Sequence, residues 1–215
     1  MNTATSVFAE MILGLASIAA VAIAVAIAVA RADAPEDCAQ LQDLPKTMAA
    51  CTIYIDSGQG SAHDRSVAHF HRGTALGIGG QLDQALPDLD KAIELDPTWS
   101  PPYSNRARVY VGKGEPARAL PDYDRFVALH PDDTGAYVNR AMAHIKLQDT
   151  DNALADLEKA VSLDPMHAFA TFNAGAIYEA KNDRPKAEAA YRKALGLAPG
   201  NQTIIDSLKR IGVEP

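Results

Sequence analysis

The 215-residue chain has only two cysteines, too few for a zinc site built from cysteine alone, and they do not form the Cys-x-x-Cys spacing of a redox motif. It also lacks a basic excess: 20 Lys and Arg stand against 27 Asp and Glu, a net charge of −7. A chain so balanced is poorly suited to neutralising nucleic-acid phosphates, so nucleic acid is not an expected partner. Aromatic residues are scarce, at 6%. With so much alanine, that scarcity favours closely packed helices over sheets. No serine, cysteine or paired-carboxylate constellation suggests a catalytic residue. The glycines around Ile78 (Gly77, Gly79, Gly80) lack phosphate-binding spacing and follow no strand. His69 and His71 are two apart and fall on different helix faces, and His144 reads as packing. Neither a metal nor a cofactor is expected. What is present is ordinary for a folded chain: 47% apolar and 22% charged residues exclude general disorder.

Met11 to Ala30 is an unbroken run of 20 uncharged residues with no polar face. A helix of that length just spans a hydrocarbon core. Glu10 precedes it and no Lys or Arg does, which favours an uncleaved anchor. Against that, Ala30-Arg31-Ala32 is a small-x-small cleavage pattern followed by the polar stretch Asp33 to Asp37. Segment 1–32 therefore reads as a signal peptide or a membrane anchor. Either reading places the rest of the chain across a membrane, and the second adds a membrane contact through this segment.

The remainder repeats with a period of 34, marked by Pro97, Pro131, Pro165 and Pro199. Leu95, Leu129, Leu163 and Leu197 hold the same register, as do Ala85, Ala119, Ala153 and Ala187. Leu89, Tyr123, Leu157 and Tyr191 form a large-residue slot, and Gly73, Ala107, Ala141 and Gly175 a small one. The units span 66–99, 100–133, 134–167 and 168–201, and each reads as two helices. In the second, Ser100 is expected to cap a helix running to about Lys113, with Pro101 in its first turn and Gly114 ending it. The small slots let the paired helices approach, and stacking neighbours must cover what a lone hairpin leaves open. Pro87 and Pro121 fall inside second helices near their starts and predict a slight bend. The aspartates Asp88, Asp90, Asp122, Asp124 and Asp156 recur on second helices and read as a solvated outer face.

The ends carry caps. Asn201 is expected to start a last helix to about Ile211 within segment 202–215, with Ile204, Ile205, Leu208 and Ile211 on one stripe. Segment 33–65 reads as a short degenerate hairpin with Cys38 and Cys51 on its two arms. Across a membrane such a pair reads as a disulfide, with two free buried thiols as the alternative.

The spacing, small slots, large slots and closing proline together resemble the tetratricopeptide repeat family over Ser66 to Asn201. The family's Trp slot holds His69, Tyr103, Tyr137 and Thr171 here, and its Leu slot holds Arg72, Arg106, Arg140 and Ala174. The resemblance implies an all-α, right-handed superhelical solenoid of helix-turn-helix repeats following the N-terminal segment. With the cysteine pair, it also implies a bacterial periplasmic setting. In this family the first helices line a concave groove, where asparagines grip the backbone of an extended peptide. His71, Asn105, Asn139 and Asn173 occupy that slot. Arg108 and Lys146 would add positive charge, and Phe70, Val138, Met142, Phe169 and Phe172 apolar contact. The alternative is that the asparagines only join neighbouring repeats by hydrogen bonds. Val67 and Phe70 stand where a carboxylate clamp needs lysines, which argues against recognition of a free C-terminus. The expected function is a non-enzymatic scaffold with a protein or peptide partner. The alternative is a structural or self-assembling repeat protein of an envelope complex.

Overall fold

The computed structural model describes residues 38–215, which form ten helices and, among the described residues, no strand. The apolar run Met11–Ala30 and residues 33–37 of the expected hairpin lie outside the described residues. Among the described residues no helix is long and apolar enough to cross a membrane. The chain divides into two compact units, one ending at Thr98 and the other running from Trp99 to Pro215.

The first unit holds α1 (Leu44–Ser57), α2 (Ala62–Ile78) and α3 (Leu82–Leu95). Asp43 caps α1 by accepting from the Lys46 N–H, and Gly58 closes it in the left-handed conformation at φ 64°. Ser61 and Asp64 form a reciprocal capping box at the start of α2. Cys38 and Cys51 are joined by a disulfide, with Cα atoms 4.9 Å apart. The bridge is buried with Tyr54 and Ala68, so it covers the open side of α2. Gly73 meets α3 closely: a Cβ there would lie 3.0 Å from Leu89 Cγ and 3.1 Å from the Ala85 carbonyl.

The second unit holds α4 (Pro101–Gly112), α5 (Pro116–Leu129), α6 (Thr134–Lys146), α7 (Thr150–Leu163), α8 (Ala168–Ala180), α9 (Arg184–Leu197) and α10 (Gln202–Arg210). Each packs on the next in chain order. The core is built from the repeated slots: Ala141, Ala153, Leu157, Ala160, Ala170, Ala174 and Ile177 cluster around the third hairpin. Asn201 caps α10, accepting from the Thr203 and Ile204 N–H groups, and Ile204 and Leu208 bury against Ala187, Tyr191 and Ala194. Arg210 donates to Glu179 at 2.6 and 2.8 Å, pinning this lid to α8.

Two local expectations are corrected. Ser100 precedes α4 but makes no capping bond, because its hydroxyl shares a 2.6 Å hydrogen bond with His130 Nε2 at the far end of α5. The aspartates split into two classes. Asp90 and Asp124 are exposed, whereas Asp88, Asp122 and Asp156 are only 6%, 4% and 6% exposed. The helices α3 and α5 each run through their proline as single elements, with Pro87 and Pro121 on the exposed side.

Candidate functional site

The three buried aspartates explain the arginines in the family's leucine slot. Arg72 donates from Nε and Nη2 to both oxygens of Asp88, each at 2.7 Å. Arg106 meets Asp122 at 2.8 and 2.7 Å, and Arg140 meets Asp156 at 2.9 and 2.7 Å, in the same two-pronged geometry. Each pair links the first helix of a repeat to its second helix. Planar forks of this kind fix orientation as well as distance. Arg140 also reaches back at 2.8 Å to Asp124 on α5, joining consecutive repeats. Burial pushes the Asp88 carboxyl up, but hydrogen bonds from His69 and Arg72 outweigh it and hold the group below its ordinary pKa. Hydrogen bonding to Asp156 raises the Arg140 pKa, so its charge is permanent.

With the first helices held this way, the expected groove residues take definite places. Successive helical residues are about 100° apart, so Asn139 is turned away from the Arg140 side that faces α7. Asn139 is half-buried, and among the described residues its amide makes no hydrogen bond. Asn173 is also half-buried, and its amide donates to the Phe169 carbonyl one turn back at 2.7 Å, leaving its oxygen to accept. Asn105 is half-buried at the same register of α4. Arg108 and Lys146 are exposed, Lys146 in the last turn of α6, where positive charge suits the helix dipole.

His71 holds the corresponding slot of α2 in the first unit. Its ring lies edge-on to Phe70 at 5.1 Å, and its Nδ1 is buried with no partner among the described residues. Burial lowers its pKa, so the ring is neutral near pH 7. His144 packs as expected, half-buried; its Nδ1 is 3.1 Å from Asp149 but off the line a hydrogen bond requires. Val138 is withdrawn from the apolar groove set: it is buried in the core around Leu157. Phe169 is half exposed, and with Ala168, Phe172, Ala198, Asn201, Thr203 and Ile204 it lines a cleft of about 370 Å³. Among the described residues no group of His, Cys, Asp and Glu side chains is arranged to hold a metal ion.

The sequence argument missed the Arg–Asp pairs, although their signal was present. The two residues recur 16 apart in three repeats, and in the fourth both change together, to Ala174 and Ala190.

Hairpins of paired helices, repeated in register and covered by an end helix, define a scaffold suited to holding other proteins. Two tetratricopeptide repeat models match, one over residues 67–98 and the other over 104–165 and 138–202. The chain belongs to the tetratricopeptide repeat family. A comparison with curated proteins found no match. Among solved structures, the chain is similar to YrrB, described as a tetratricopeptide repeat protein with an unusual peptide-binding site. The two are 25% identical, with a TM-score of 0.68 over 77% of this chain and 84% of that one. It also shares its fold with MamA, at 23% identity and a TM-score of 0.65 over 68% and 80% of the two chains. A tetratricopeptide repeat protein from Parabacteroides merdae is 18% identical, with a TM-score of 0.69 over 79% and 66%.

Proposed function

We propose that the chain is a non-enzymatic adaptor that holds an extended peptide segment of a partner protein along the first helices of its repeats. The observation that carries this reading is the asparagine slot, repeated at Asn105, Asn139 and Asn173, with the Asn139 amide half-exposed and without an internal bond among the described residues. An amide supplies both a donor and an acceptor, so it can pair with a peptide backbone whatever the side chains are. The likeness to YrrB, with its peptide-binding site, supports the same reading. Arg108 and Lys146 favour an acidic segment, and the cleft beside Phe169 and Phe172 offers room for an apolar side chain. We place the adaptor on the outer side of a bacterial inner membrane. The apolar run Met11–Ala30 and the Cys38–Cys51 bridge support that placement, since disulfides persist in oxidising compartments.

The test is an affinity pull-down from an envelope extract. Wild type is compared with the triple variant Asn105→Ala, Asn139→Ala, Asn173→Ala after circular dichroism shows both equally helical. A partner held by wild type and released by the variant supports the groove. The same partner held by both overturns it and moves binding to another face or to self-association.

A further inference from the structure

The side of α8 opposite Asn173 carries a second cleft. Thr171, Ala174 and Tyr178 share that side of the helix, at spacings of three and four residues. Together with Glu158 and Val161 of α7 and Lys186, Ala189, Ala190 and Lys193 of α9, they enclose about 340 Å³. The first unit has a cleft at the same repeat position, of about 390 Å³, but there Arg72, Asp88, Gln81 and Gln84 make its floor ionic and polar. Water competes well for such a floor. In the fourth repeat both members of the ion pair are alanine, so the floor is uncharged.

The remaining polar groups of this cleft are already occupied. Thr171 Oγ1 donates to the His167 carbonyl at 3.1 Å. The Tyr178 hydroxyl donates to Glu158. Burial and that carboxylate together push the tyrosine up to about 12, so it stays a neutral donor. With its hydrogen bonds made internally, the cleft gains little from a polar guest and most from an apolar one. The rim is charged, however. Lys186 and Lys193 are seven residues apart, two turns along one face of α9, with Ala189 and Ala190 between them. Both are exposed; Lys186 Nζ lies 5.1 Å from the Tyr178 ring centre and 3.4 Å from Asp183 in a solvent-exposed pair, and Lys193 has no ion-pair partner among the described residues.

We infer that this cleft is a second docking seat, and that it takes a large aliphatic side chain carried on an acidic segment of a partner protein. The aliphatic group covers the alanine floor, and its acidic neighbours meet Lys186 and Lys193. The seat lies on the other side of α8 from the asparagines, so it works independently of the peptide groove.

Fluorescence anisotropy of a labelled hexapeptide, Asp-Glu-Leu-Leu-Glu-Asp, against the full chain in non-ionic detergent tests this. The seat predicts saturable binding that weakens at least tenfold when leucine is replaced by alanine in the peptide or when its acids are replaced by lysine. The variant A174R/A190D installs the ion pair of the other repeats in the seat and must weaken binding at least tenfold. K186E/K193E, which changes only exposed side chains, must do the same. K209E, which reverses an exposed charge on α10 outside the seat, must leave binding unchanged. No binding, equal binding of the basic peptide, or loss only in N139A/N173A overturns the inference.

Discussion

Asp156 is almost fully buried, and among the described residues its carboxylate is met by Arg140, which donates to both oxygens. Arg140→Ala leaves that carboxylate unpaired and is expected to cost about 3 kcal/mol, the usual range for breaking a buried pair. Removing both charges is different, because the fourth repeat already folds with Ala174 and Ala190 at these slots. The double variant R140A/D156A is expected to cost about 1 kcal/mol, well under the sum of the single changes. Urea denaturation of the four proteins measures the coupling directly. Asp88 gives the corresponding pH effect. Its folded pKa is depressed, so the unfolded chain binds the proton more readily. The stability it contributes is present above the unfolded value of about 4 and is lost as pH falls through the lower, folded one. Urea midpoints from pH 6 to pH 2 should fall more steeply for wild type than for Asp88→Asn. These pairs were hidden in the sequence because an aspartate two residues from another on an amphipathic helix resembles a solvated one. Only the joint change to Ala174 and Ala190 distinguishes Asp156 from Asp124. The asparagine slot was legible because identical residues recur at one register. Whether an amide is free or folded back, as in Asn173, depends on a rotamer that the sequence does not encode.

At the scale of the helix, periodicity was the reliable guide. The closing prolines and small slots gave each of the four repeats its two helices, although α2 begins at Ala62, ahead of the expected start at Ser66, and Asn201 capped the last helix as its type suggests. Ser100 failed as a cap because a half-buried partner, His130, competes for its hydroxyl, and no local rule contains a residue 30 positions away. The small slots show how tertiary contact can reverse propensity. Within a helix, Gly to Ala ordinarily stabilises by about 1 kcal/mol. At Gly175 an added Cβ would lie 2.8 Å from Tyr191 Cδ1. Tyr191 has little freedom to retreat: its hydroxyl donates to Glu179 at 2.6 Å and its ring packs on Phe172 at 5.5 Å. Gly175→Ala is therefore expected to destabilise by about 1–2 kcal/mol through overpacking, despite the better helix former. A thermal melt showing a raised midpoint would contradict the packing argument.

At the scale of the whole molecule, each unit is closed at one end by a different device. The second unit uses α10, whose Arg210–Glu179 pair and buried Ile204 and Leu208 hold it on the last repeat. The first uses the Cys38–Cys51 bridge beside Ala68. The bridge closes a loop of 13 residues' separation, for which the chain-entropy model gives about 3 kcal/mol. Adding a reductant should lower the stability of the first unit by about that amount. Hydrogen exchange resolves the effect: amides of α1 and α2 should lose protection, while those of α6 to α9 keep theirs. Uniform loss across both units would show that the bridge governs the entire chain.

The nearest-neighbour packing of the second unit has a consequence for how such a chain can change its length. Packing there runs between consecutive helices, apart from ties such as Arg210 of α10 to Glu179 of α8 that lie outside module 134–167, so this 34-residue module is removable in principle without orphaning a buried surface. Its excision would join Asp133 to Ala168 and bring α5 against α8. Asp124 would then stand in the place Glu158 now holds beside Tyr178, an acid replacing an acid. The Arg106–Asp122 pair would remain whole, because each such pair begins and ends inside one module. Heritable gain or loss of reach then needs no repair mutation at the seam, and the number of repeats becomes a quantity selection can count in whole units.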